Sequence, residues 1–92
     1  MKITIEEKIG SEKTNIAFKI AEVLAYEHSS VKYMVPKNPI KSIIELYGYV
    51  PVWIQIVNNT NQVFKDDLVI FDEVQEESTH AKTVIVVKTK SV

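Results

Sequence analysis

Over the first 57 residues the apolar side chains switch repeatedly between a two-residue and a three-to-four-residue period. That alternation restricts the chain to folds that layer helices on a sheet. Lys2, Ile3, Thr4, Ile5 and Glu6 alternate, which predicts a short strand with Ile3 and Ile5 on one face. Gly10 and Ser11 then open a segment in which Ile16, Ile20, Val23 and Leu24 fall at helical spacing. Ala17, Ala21 and Ala25 widen that stripe, and Lys19, Glu22 and Glu27 form the polar face of a helix over about 12–28. Val31 to Val35 is a second short strand, stopped by Pro36. Asn38-Pro39 supplies an N-cap and a proline at the first helical position. Ile40, Ile43, Ile44 and Tyr47 then line a helix over 39–47 that Gly48 ends.

Tyr49 to Val57 predicts a third strand, with Pro51 pointing to an edge position or a strand start. After the polar turn Asn58–Asn61 come an apolar strand over Leu68–Phe71, a polar loop over Asp72–Lys82, and a last strand over Thr83–Lys88. The order β-α-β-α-β-β-β reads as one α/β (or α+β) domain over 1–92, with two helices packed on a small sheet. Helical crossovers favour parallel pairing early; the shorter late connections suit antiparallel hairpins, so a mixed sheet is expected. The expected core holds Ile5, Ile16, Ile20, Val23, Leu24, Ile43, Ile44, Ile54, Ile56, Val69, Ile70, Val84 and Val86.

Charge and composition remove several functions. A net charge of −1 gives no basic field for nucleic acid or an anionic membrane. Cysteine is absent, which excludes disulfides, thiol catalysis and cysteine-held zinc. All eleven basic residues are lysine, so no arginine finger or bidentate guanidinium clamp comes from this chain. Such Lys, Ile and Asn usage suits an A/T-rich genome, as of a low-GC bacterium or its phage. No apolar run reaches the roughly 20 residues of a membrane span, and the first residues do not form a signal peptide. A soluble, cytoplasmic protein is expected.

The segment Ile3-Thr4-Ile5-Glu6-Glu7-Lys8-Ile9-Gly10-Ser11-Glu12-Lys13-Thr14, followed by an amphipathic helix, resembles the strand, phosphate loop and helix of P-loop NTPases. By that resemblance Lys13 is the phosphate-binding lysine, Thr14 the magnesium-ligating hydroxyl, and Gly10 and Ser11 are loop positions. Leu68-Val69-Ile70-Phe71-Asp72-Glu73 is similar to the family's second element, which implies that Asp72 supports magnesium and Glu73 activates water. Thr83 to Thr89 resembles the buried strand that follows, whose end carries a polar residue near the phosphate. The resemblance spans most of the chain and implies Mg-ATP or Mg-GTP as ligand.

Both signature glycines, however, are glutamates, Glu7 and Glu12. A carboxylate at the second position puts a side chain where the loop needs positive φ, and brings negative charge toward a triphosphate. Two like charges at about 4 Å cost several kcal/mol at an intermediate dielectric. The resemblance thus implies a degenerate site, and hydrolysis is not expected. Read alone, Ser11–Thr14 is an N-cap serine with a first-turn glutamate, and Asp72-Glu73 is the exposed end of a buried strand.

No catalytic set emerges elsewhere. His28 sits at a helix end, where a cationic imidazole is favoured. His80 with Asp72, Glu73, Glu76 and Glu77 reads as a solvated acidic loop before it reads as a metal site. The expected function is therefore a small non-enzymatic binding or regulatory protein, acting on a protein partner or by self-association through an open edge strand. Its surface would join Tyr49 and Trp53 of the third strand to Glu73, Glu76 and Glu77. No cofactor, metal, nucleic acid or membrane is expected as a partner.

Overall fold

The computed structural model describes residues 1–8, 12–35 and 38–90. Along the chain lie β1 (Lys2–Glu7), α1 (Lys13–Leu24), β2 (Val31–Met34), α2 (Pro39–Tyr47), β3 (Ile54–Ile56), β4 (Leu68–Asp72) and β5 (Thr83–Thr89). The strands form one sheet in the order β1-β5-β4-β2-β3, and every pairing is parallel. The α/β class follows from the alternating periods, but the expected antiparallel end of the sheet is corrected. The reason lies in the two late connections, 57–67 and 73–82. They run over the sheet face opposite the helices and contribute Val57, Val63, Val74 and Ala81 to a cluster with Met34, Val69, Phe71 and Val86. These connections, the first holding a single 3-10 turn at Thr60–Gln62, cover the face that a crossover α-helix would otherwise cover.

The other face is covered by the helices. Ala17, Phe18 and Ala21 of α1 and Ile43 of α2 pack on Ile5, Val31, Tyr33, Ile54, Leu68, Ile70, Ile85 and Val87. β4 is buried along its whole length, as a strand covered on both faces must be.

Four expected core residues are exposed instead: Ile16, Val23, Ile44 and Ile56. Ile20, Leu24 and Val84 are only half-buried. Helix α1 is rotated from the isoleucine stripe onto Phe18 because that ring fills the space beside Tyr33, at 4.8 Å between centroids. The flanking alanines then let the helix backbone sit close to the sheet. The second helix has the expected span, and Gly48 ends it in the left-handed region at φ 80°, donating to Ile44 O at 2.7 Å. Asn38 caps it differently from the expectation: its side chain makes no capping bond, and its carbonyl accepts from Lys41 N at 3.1 Å. The third strand is shorter than expected, because a turn closed by Ile54 N donating to Pro51 O occupies the residues before it.

Candidate functional site

All five strands point the same way, so their carboxyl ends share one rim. The chain leaves β1 and β2 toward the helical face and leaves β4 toward the opposite one. In open parallel sheets, ligands bind at the carboxyl ends of the strands where connections diverge in this way.

Asp72 closes β4 at this rim and is almost fully buried. Thr14, in the first turn of α1, donates its hydroxyl to Asp72 Oδ2 at 2.9 Å. Tyr33, on the adjacent β2, donates to the same oxygen at 2.6 Å. Two hydroxyls thus fix one carboxylate oxygen. Lys13 is also buried, with Nζ 3.4 Å from the Lys8 carbonyl and 3.7 Å from Glu73 Oε1.

Glu73 takes a left-handed backbone, φ 58°, a conformation uncommon outside glycine and found disproportionately at functional positions. Its carboxylate is tied to the end of β5: Thr89 donates its hydroxyl to Oε1 at 2.5 Å and its N–H to Oε2 at 3.2 Å. Glu12 precedes α1, exposed, at φ −93°, so the expected need for positive φ there is not met. Its side chain makes no capping bond, and its carbonyl accepts from Ile16 N at 3.0 Å. Gly10 and Ser11 lie outside the described residues.

Burial, reinforced by the hydrogen bond and negative charge of Asp72, pushes the Tyr33 hydroxyl well above its ordinary value near 10; a bond with Ser42 opposes this in part. Burial and then Glu22 raise Tyr47 likewise. A raised value means that above pH 10 the folded chain holds protons the unfolded chain has released. This contribution to stability is therefore complete below pH 10 and is lost as the pH climbs toward the folded-state value. Urea unfolding between pH 8 and pH 11 is expected to show falling stability above about 10, less steeply in Tyr33→Phe. Equal slopes in the two proteins would contradict the assignment.

The four residues of the sequence motifs, Lys13, Thr14, Asp72 and Glu73, therefore meet at one place. Comparison with known protein families, characterised proteins and solved structures finds no match. Two further residues of the site were not singled out in the sequence: Thr89 is simply the polar end of the last strand, and Tyr33 looks like any aromatic residue of a buried strand.

The expected interaction surface is not continuous. Trp53 is half-buried on the helical face, edge-to-face with Tyr47 at 5.7 Å, while Tyr49 is 63% exposed. Glu76 instead pairs with Lys2 at 2.6 Å on the opposite face, where it lines a shallow pocket with Glu77, Met34 and Asn58. Glu73 belongs to the rim described above. Trp53 and the Glu76–Glu77 pair thus lie on opposite faces of the sheet.

His28 ties the end of the α1 segment to β5. Its Nδ1 donates to Leu24 O at 2.7 Å, and its Nε2 lies 2.8 Å from Thr83 Oγ1. His80 is exposed, and among the described residues no three His, Asp or Glu side chains converge on one point. No helix among the described residues is long and apolar enough to cross a membrane.

Proposed function

We propose that this domain is a non-hydrolytic binding protein for a magnesium-complexed nucleoside phosphate, held at the carboxyl rim of the sheet. The observation that carries the reading is the 2.9 Å contact between Thr14 and Asp72, residues 58 apart in sequence, with Lys13 beside them. A hydroxyl and a carboxylate in contact are the hard oxygen donors that magnesium prefers. A buried ammonium next to them suits the phosphate that the metal would bridge. Lys13 would exchange its long contact with Glu73 for the phosphate, and Thr14 and Asp72 would hold the metal. Glu12 and Glu73 lower the affinity by repulsion, and Glu73 is bound to Thr89 rather than free to activate water.

Titration calorimetry with Mg-ATP and Mg-GTP at millimolar ligand tests this. Saturable binding is expected, lost in Lys13→Ala and strengthened in Glu12→Gly, with no phosphate released on prolonged incubation. Absence of saturation in both the natural chain and Glu12→Gly would refute the reading. A second reading, action through protein contacts, is favoured by the open sheet edges and is developed below for one of them.

A further inference from the structure

We propose that two copies of this chain associate through β1, antiparallel about Thr4, so that their sheets become one. This inference is independent of the nucleotide reading. β1 ends the sheet, and β5 takes only its inner side. Met1 O accepts from Val84 N at 2.9 Å and Glu7 O from Lys90 N at 2.7 Å, so odd-numbered residues turn their backbone groups inward. By strand alternation Lys2, Thr4 and Glu6 turn theirs outward, and none of the described strands pairs with them.

The sequence around Thr4 is self-complementary. In an antiparallel pair centred there, Thr4 faces Thr4, Ile3 faces Ile5, and Lys2 faces Glu6 of the second copy. The facing pairs at residues 2, 4 and 6 are those whose backbone groups are available, so each becomes a hydrogen-bonded pair. A slip of one residue would set inward-turned groups against outward-turned ones, and a parallel in-register pair would set lysine on lysine and glutamate on glutamate. Lys2 Nζ already contacts Glu76, but an ammonium has further protons to offer.

The apolar surface agrees with this geometry. Beside β1, Met1 and Ile3 join Ile16, Ile20, Val23 and Leu24 of α1, which the core does not fully bury, in a groove of about 550 Å³ that Lys19 also lines. Met1 is 72% exposed and Val23 69%. A two-fold axis through the Thr4 pair, perpendicular to the sheet, leaves both α1 helices on one face, each groove turned toward the other copy. Exposed six-residue edges invite such pairing, and an isologous contact closes at two copies. The opposite edge, β3, has only three residues and offers less.

Sedimentation equilibrium across the micromolar range, with Lys2→Glu, Glu6→Lys and the double exchange, tests the proposal. The natural chain is expected to be a dimer. Each single exchange turns two attractive pairs into repulsive ones and should weaken dimerisation roughly tenfold. The double exchange should restore it, although the Glu76 contact stays lost. Val23→Asp should also weaken the dimer while the far-ultraviolet dichroism of the fold is kept. A natural chain that stays monomeric throughout, or a double exchange that stays as weak as the singles, overturns the proposal, whatever other protein is later found on this edge.

Discussion

Phe18→Ala is expected to remove about 3–5 kcal/mol of stability, the largest effect of any single truncation. A chain of 92 residues is worth on the order of 5–14 kcal/mol in total, so this variant should be close to unfolding at 37 °C. Phe18 is fully buried, with its ring 4.8 Å from Tyr33 and 6.2 Å from Tyr47. Tyr47 in turn meets Trp53, so the ring joins α1 to β2, α2 and the approach to β3. Its removal leaves a cavity between elements that cannot close without moving a helix. The control is Val23→Ala on the same helix, exposed in the single chain and, at concentrations low enough to keep the chain monomeric, expected to cost less than about 0.5 kcal/mol. Urea midpoints of the two variants should therefore differ widely. Similar midpoints would mean that α1 packs through its isoleucine stripe after all.

Asp72→Ala is expected to cost about 2 kcal/mol, chiefly because the buried Tyr33 hydroxyl loses its acceptor. Thr14 loses the same acceptor but is only half-buried, and water can replace it. The cost should be smaller in a Tyr33→Phe background, where no hydroxyl is left stranded, by about 1 kcal/mol. Such coupling, measured by urea unfolding of the four proteins, separates a hydrogen-bonded network from two independent packing losses. Additive costs would show that Tyr33 and Asp72 do not depend on each other. Because Asp72 is also the proposed metal carboxylate, the same variant should lose Mg-nucleotide binding while still folded.

The sequence alone determined the parts whose cause is local. Pro39, the Ile40–Ile43–Ile44–Tyr47 spacing and Gly48 define α2 to the residue, because a fixed φ at one end and a left-handed φ at the other leave no alternative. The alternation of Lys2–Glu6 and the apolar run from Leu68 mark their strands in the same way. The pairs Lys13-Thr14 and Asp72-Glu73 were legible because each stands where one element meets the next. What the sequence left open was every choice between two apolar surfaces. Helix α1 carries isoleucine and valine on one stripe and Phe18 with alanines on another, and periodicity cannot rank them. Tertiary packing did, since only the second stripe lets a ring enter between Tyr33 and Tyr47. The parallel return of β4 and β5 was likewise decided by long-range pairing, with loop residues such as Val63 and Val74 covering a face that neither α1 nor α2 covers. Tyr33 joined the site for the same reason: the order β5-β4-β2 sets its hydroxyl against Asp72, and neighbourhood within a sheet is not written in chain order.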